Sequence, residues 1–283
     1  MSRITYVNGQ YVPEGEAKIS IFDRGFLFGD GVYEVIPVIA SRLVDYAAHV
    51  ERLGRSLKEL RMAWPCTEAA LRVMHEELVA RNSLKEGIIY IQVTRGVADR
   101  QFNFPKDSPS TLIAFTQVMV LVENPSARTG IKVITTPDIR WGRRDIKTVM
   151  LLASVLGKQE AVDKGVTDAW MVEDGKVTEG TSNNAFIVKD NTVITRPLSH
   201  DILAGCTRRA LFRLAHEHGV KIEERLFSPE EAYGADEAFI TSASQFVMPV
   251  VEIDSHRIGG GQPGPVARKL RELFLEEAQG SVS

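Results

Sequence analysis

A single sustained run of turn formers, Val122-Glu-Asn-Pro-Ser-Ala-Arg-Thr-Gly130, separates two strand-rich regions and so points to a fold with two cores. At 283 residues, with 44% apolar and 25% charged positions, there is material for both. The expected organisation is an N-terminal α+β domain over 1–121, a linker over 122–130 and a larger C-terminal domain over 131–283.

Local patterns fill in each half. Asn8-Gly9 lies between two β-prone stretches within Thr5–Val12, a strong hairpin signal. Val50, Leu53, Leu57 and Leu60 recur at helical spacing from Tyr46 onward, and Thr67 caps a second helix that runs to Val79. Strands are expected over Ile88–Thr94 and Thr111–Val118. Beyond the linker, Ile131–Thr135 reads as a strand and Leu151–Lys164 as a helix. Asp174-Gly175 marks a second hairpin, and helices follow over Thr207–His218 and Pro263–Ala278. Between them, strands are expected around Val220–Glu223, Glu237–Thr241 and Val247–Ile253.

Composition excludes several partners. A formal charge of −3 provides no broad basic field, which argues against nucleic acid and anionic membrane surfaces. Cys66 and Cys206 are far apart, with neither disulfide-framework nor zinc-ribbon spacing, and fit a reducing cytoplasm. The chain enters a strand pattern at once and has no membrane-length apolar run, so neither a signal peptide nor an anchor is expected. No metal is expected: the histidines are scattered, and His216 and His218 are too close on a helix to share a face. A Gly-x-Ser-x-Gly elbow is missing, and Gly29-Asp-Gly31 lacks the third glycine of a dinucleotide fingerprint.

What remains is an ordered set of groups. Lys147 ends the charged run 140–147 and precedes Thr148-Val-Met-Leu-Leu152, where the chain is expected to enter a core. Most lysines at such a border extend their ammonium to water, but burial and the neighbouring Arg143 and Arg144 would leave this one a nucleophile. Glu179 follows the Asp174-Gly175 hairpin, where alternation puts it on one face with Val177 and puts Lys176 and Thr178 on the other. It is either solvated or buried with a partner.

Leu203-Ala-Gly-Cys-Thr207 precedes a helix with an apolar stripe through Leu211, Leu214 and Ala215, and Thr207 is placed as its cap. The bland reading is an ordinary capped helix; the chemical one is a phosphate held by the N–H groups of Cys206 and Thr207. Thr241-Ser-Ala-Ser244 could add donors, and Arg52, one turn from His49, could grip a phosphate through two parallel bonds. An amine, a carboxylate and an anion cradle together complement pyridoxal phosphate, which carries an aldehyde, a ring nitrogen and a phosphate.

These residues sit in stretches that resemble the class IV, fold-type IV pyridoxal-phosphate aminotransferases, and most of all the D-amino-acid aminotransferases. The matching stretches are Phe28–Val35, His49–Leu53, Val93–Gly96, Asp145–Lys147, Val177–Gly180, Leu203–Thr207 and Thr241–Ser244, across essentially the whole chain. The resemblance implies an α/β (α+β) two-domain enzyme whose larger C-terminal domain holds a β-barrel-like sheet flanked by helices. It implies Lys147 as Schiff-base lysine and proton carrier, Glu179 as partner of the pyridine nitrogen and Arg52 as phosphate ligand. Cys206 and Thr207 would bind phosphate with Ser242 and Ala243 nearby, Leu203 would pack on the ring, and Tyr33 would lie in the substrate pocket. Ala243 stands where a hydroxyl residue is common, so its contact could come only from the backbone.

A second departure lies in Arg95–Pro105. The D-amino-acid enzymes usually carry an Arg-x-His pair that grips the substrate carboxylate; here it reads Arg100-Gln101-Phe102. One charged hydrogen bond is then missing, a loss of about 1.5–3 kcal/mol unless another group substitutes. The resemblance further implies a homodimer in which this loop completes the neighbouring subunit's pocket. The expected activity is a ping-pong transfer of an amino group from a D-amino acid such as D-alanine to 2-oxoglutarate or pyruvate. Alternatives are a branched-chain L-aminotransferase, an (R)-amine transaminase, aminodeoxychorismate lyase, and a catalytically inert binding protein on the same fold.

Overall fold

The computed structural model describes residues 2–280. Two compact units emerge, the first running to Val120 and taking in Ile146–Met150, the second comprising Leu121–Asp145 and everything described from Leu151 onward.

The first unit is built on an antiparallel sheet. A hairpin of β1 (Ile4–Val7) and β2 (Gln10–Pro13) turns at Asn8 and Gly9, both at positive φ. Helix α1 (Arg24–Phe28) is capped by Asp23, and the long strand β3 (Gly31–Ile39) and short β4 (Arg42–Leu43) follow. Helices α2 (Tyr46–Glu59) and α3 (Glu68–Arg81) precede strands β5 (Glu86–Thr94) and β6 (Thr111–Val118). The strand order is β2-β1-β6-β5-β3-β4. Along β3, Val32, Glu34, Ile36 and Val38 alternate onto one buried face, against which α2 packs. Tyr33 and Val35 point the other way and are half-buried; there Tyr33 stacks on Tyr90 and Tyr90 on Phe115. A glutamate in an otherwise apolar row must find partners from the helix above it, and α2 provides them.

The second unit opens with α4 (Pro125–Thr129), capped by Asn124, so the segment expected as a linker is largely a short helix. Elements β7 (Ile131–Pro137), α5 (Leu152–Asp163), β8 (Asp168–Glu173), β9 (Lys176–Gly180), β10 (Asn184–Lys189) and β11 (Thr192–Thr195) follow. Then come α6 (Cys206–Glu217), β12 (Lys221–Glu224), α7 (Pro229–Tyr233), β13 (Glu237–Ser242), β14 (Phe246–Ile253), β15 (His256–Arg257) and α8 (Pro265–Gly280). The sheet runs β12-β11-β10-β13-β14-β7-β8-β9, with β15 paired to β14.

That order dictates curvature. Strands β9 and β10 are five steps apart along the sheet, about 24 Å if it were flat, since strands are spaced ~4.8 Å apart. Residues 181–183 alone connect them, a reach of roughly 14 Å at full extension, so the sheet curls into a partial barrel. Trp170, Ile187, Phe227, Ile240 and Met248 fill one face. Phe186, Val188 and Phe239 pack on the other against Leu211 of α6 and Leu270 of α8. Both faces are covered, which explains why Val177, Thr178 and Glu179 are all buried where simple alternation expected one face each for Glu179 and Thr178. No described helix is long and apolar enough to cross a membrane.

Candidate active site

Glu179, on β9, is 3% exposed and surrounded by donors. Arg140 Nη1 donates to Oε1 at 2.6 Å, while Asn184 Nδ2 and the Leu203 N–H donate to Oε2 at 2.9 and 3.1 Å. A carboxylate has about four acceptor positions, so these three leave one, on Oε1. Arg140 is itself held by Asp138 through Nε at 2.9 Å and Nη2 at 2.7 Å, and Thr178 Oγ1 donates to the same Asp138. Burial pushes the Glu179 carboxyl above the ordinary glutamate value in spite of the arginine beside it. For Arg140 burial works against the charge, but Asp138 and Glu179 more than offset it and hold its pKa above the ordinary value.

The stretch expected to cradle an anion, Leu203–Thr207, meets the same Asn184. Asn184 Nδ2 also donates to the Leu203 carbonyl, and a Cβ placed on Gly205 would sit 2.3 Å from Asn184 Oδ1. Only glycine lets this turn approach β10 so closely. Gly205, not Thr207 as expected, is the N-cap of α6, and no side chain caps it. Thr207 belongs to the first turn, where it and Cys206 are buried. The uncapped first turn leaves N–H groups to be satisfied by something else. Asn184 is paired in register with Thr241, and the buried hydroxyls of Thr241 and Ser242 have no hydrogen-bond partner among the described residues. Buried Arg271 fixes the turn beyond them, donating to the carbonyls of Gln245 at 2.8 Å and Val247 at 3.0 Å. Orphaned hydroxyls and a bare helix start around one asparagine are what a phosphate-bearing ligand would complete, and the acceptor position left on Glu179 adjoins them through Asn184.

In the first unit, the segment 146–150 runs beside the start of β3, where β4 does not reach. The Lys147 carbonyl accepts from Tyr33 N–H at 3.0 Å, Val32 bridges Thr148, and Val149 N–H donates to the Gly31 carbonyl at 3.1 Å. Ser56 Oγ on α2 accepts from Lys147 N–H at 3.3 Å. The Lys147 ammonium rests 4.3 Å from the Tyr33 ring centroid, a cation–π contact. The run after it does not enter a core as expected: Leu152 is 72% exposed. Arg143 and Arg144 are paired with Asp145 and Glu173.

Arg52 turns one edge of its guanidinium to Glu34, Nε to Oε1 at 2.7 Å and Nη2 to Oε2 at 2.8 Å, and His49 Nδ1 meets Oε2 at 2.8 Å. Arg52 is thereby committed along one edge to Glu34. Arg100 lies on an exposed loop with its guanidinium 5.5 Å from the Phe28 ring and 5.7 Å from Phe102. The residues proposed from sequence thus fall into two groups: Tyr33, Arg52, Arg100, Phe102 and Lys147 in the first unit, and Glu179, Leu203, Cys206, Thr207, Ser242 and Ala243 in the second. Sequence reasoning passed over Glu34, Arg140, Asp138 and the role of Asn184. Glu34 could have been found from its place in the alternation Val32-x-Glu34-x-Ile36; nothing local ties Arg140 to Glu179. No cluster of three or more metal-ligating side chains occurs among the described residues.

Comparison with known proteins is consistent across the chain. The family model for amino-transferase class IV matches residues 31–253. A D-alanine aminotransferase of Bacillus licheniformis is 38% identical over 264 residues, 93% of each chain. One from Staphylococcus epidermidis is 38% identical over 277 residues, 97% of each. Among solved structures, a branched-chain amino acid aminotransferase from T.th., complexed with N-(5'-phosphopyridoxyl)-L-glutamate, is 29% identical at a TM-score of 0.89, covering 99% of this chain and 95% of that one. The Escherichia coli branched-chain enzyme is 25% identical at 0.90, covering 99% and 96%.

Proposed function

Because this chain belongs to the class IV aminotransferases, we propose that it moves an amino group from a D-amino acid such as D-alanine to a 2-oxo acid such as 2-oxoglutarate or pyruvate, through a ping-pong pair of half-reactions. The donor class rests on the similarity to D-alanine aminotransferases over more than nine-tenths of both chains, together with Arg100 on its loop. Pyridoxal phosphate, when bound, supplies an aldehyde for the amine and a ring that accepts the electron pair released at the substrate Cα.

The chain's own groups divide the work. Lys147 would hold the cofactor and would carry the proton from the substrate Cα; the Tyr33 ring orients its amine. Glu179 accepts the ring N–H on its remaining position and keeps that nitrogen protonated, with Arg140, Asn184 and Leu203 locking the carboxylate in place. Cys206 and Thr207 would offer the start of α6 to the phosphate, with the Thr241 and Ser242 hydroxyls and the Ala243 backbone; Arg52 is proposed as a further phosphate ligand. Leu203 would pack on the ring.

Phe102 is 81% exposed and Phe26 69%, side chains that a second copy of the chain would cover in a homodimer. The two free cysteines suit a reducing cytoplasm. A branched-chain L-donor is the second reading, favoured by the solved structures the fold resembles.

A panel of D- and L-amino acids and (R)-1-phenylethylamine, with pyruvate and 2-oxoglutarate as acceptors, tests the donor class. Turnover of D-alanine or D-glutamate is expected; activity confined to L-branched donors would overturn the reading. Lys147→Ala should abolish turnover and the covalent attachment while some cofactor still binds through its phosphate.

A further inference from the structure

The loop that carries Arg100 and Phe102 has almost nothing of its own to hold it. Among the described residues, no backbone hydrogen bond to backbone is made between Asp99 and Asp107. Its tip carbonyls instead meet one buried side chain. Arg24, on α1, is 3% exposed and donates through Nη1 to the Gln101 carbonyl at 2.6 Å, with longer approaches of 3.5 Å to the carbonyls of Phe102 and Asn103. Its guanidinium also lies 4.6 Å from the Phe28 ring, the ring that meets Phe102 at 5.5 Å and Arg100 at 5.5 Å.

Arg24 is oriented from behind. Asp30 Oδ2 accepts from Arg24 Nε at 2.8 Å and from Arg95 Nε at 2.8 Å, and Oδ1 from Arg95 Nη2 at 3.0 Å. Arg95 is anchored in turn on the Leu60 carbonyl at 2.8 Å and covers the Phe104 ring at 3.6 Å. Burial disfavours the Asp30 charge, but the two guanidiniums more than offset it and hold its carboxyl below the ordinary aspartate range. A planar fork is needed here: it must bond a carboxylate on one edge, carbonyls on the other, and lie against a ring, which an ammonium cannot do at once.

We propose that Arg24, held by Asp30, is the positioning residue that sets the Arg100–Phe104 loop and thereby the placement of Arg100 toward the substrate carboxylate. This rests on the D-amino-acid reading for its substrate consequence, though not for the loop itself. A carboxylate gripped by a misplaced arginine binds weakly in the ground and transition states alike, so the loss falls on KM.

The test uses the holoenzyme. Arg24→Lys should raise KM for D-alanine by about tenfold or more with kcat within roughly threefold, and alter KM for (R)-1-phenylethylamine, which has no carboxylate, by less than roughly threefold. Asp30→Asn should move the same parameters in the same direction, by less. Tryptic cleavage after Arg100 should accelerate in both variants while the cofactor absorbance and the remaining cleavage pattern stay as in the parent. Unchanged cleavage there, or an equal rise in KM for acid and amine donors, would overturn the proposal. Arg24→Met controls for folding: Lys should recover part of the resistance to cleavage that Met loses, and no recovery counts against it. If the parent takes no D-amino acid, the donor reading fails by itself, and the cleavage data still decide whether Arg24 holds the loop.

Discussion

Two glutamates, each buried on a β-strand and each bonded to an arginine, have opposite electrostatic fates. Glu34, 1% exposed, is gripped along both oxygens by the fork of Arg52 and met by His49. Burial opposes its charge, but Arg52 and His49 prevail and hold the carboxyl well below the ordinary glutamate value. Glu179 receives a single end-on bond from an arginine whose other edge belongs to Asp138, and burial prevails. The first is a closed pair that uses its charge to build; the second keeps an acceptor position and raised basicity, which suit a group that must hold a proton on something else. The neighbouring unsatisfied hydroxyls of Thr241 and Ser242 extend that openness. A pair of charges is thus informative about function through what it leaves unfilled.

Glu34→Gln gives the largest effect on the closed side. It leaves Arg52 without its carboxylate and should cost about 3–5 kcal/mol of stability, read by denaturant unfolding. The pH dependence follows from the depressed folded pKa. The contribution is complete above the unfolded value near 4.5 and is lost as pH falls below it toward the folded value, so parent and variant should converge in acid. A constant gap at low pH would break the distinction between the pairs. Glu179→Gln should do the reverse, leaving the melting temperature of the protein nearly unaltered and lowering kcat by about a hundredfold. If it unfolds the protein instead, Glu179 is as structural as Glu34.

Arg140→Gln sharpens the contrast with a smaller change. Removing the guanidinium leaves burial less opposed, so the Glu179 carboxyl rises further and ionises at higher pH. The acid limb of the pH–kcat profile should move to higher pH, with about tenfold lower turnover on the acid side and recovery toward alkaline pH. A shift to lower pH would mean that Arg140 acts on some other group.

How much of this could be read from residues alone depended on range. The hairpins at Asn8-Gly9 and Asp174-Gly175 were legible because their positive φ angles are a property of the dipeptides themselves. Thr67 was legible as a cap because its hydroxyl reaches Ala70 N–H one turn away. Strand β3, the frame for Tyr33 and Glu34, was hidden by Pro37, which argues against an interior strand until the β5 pairing is known. Strands β10 and β11 are short apolar stretches that periodicity cannot tell from a helix turn. The proposed cofactor residues were drawn from the motifs the chain shares with its family. The pairings that set their chemistry, Arg140 with Glu179 across 39 positions and Glu34 with Arg52 across 18, exist only in three dimensions.

The smallest predicted effect is the most discriminating, because its sign depends on whether the ligand is bound. A buried hydroxyl without a partner costs about 1–3 kcal/mol in the free protein, a penalty the phosphate would remove on binding. Ser242→Ala removes both the penalty and the later bond. The cofactor-free protein should therefore melt at the same temperature or slightly higher than its parent, while affinity for pyridoxal phosphate falls by about fivefold, so that the melting point of the loaded protein drops. Alanine fits without new contacts, since it only shortens the side chain at a position on the rim of the turn that Arg271 fixes through Gln245. Equal destabilisation of the free and loaded forms would mean that the Ser242 hydroxyl serves the fold, and the openness attributed to this half of the site would then rest on Thr241 and the start of α6 alone.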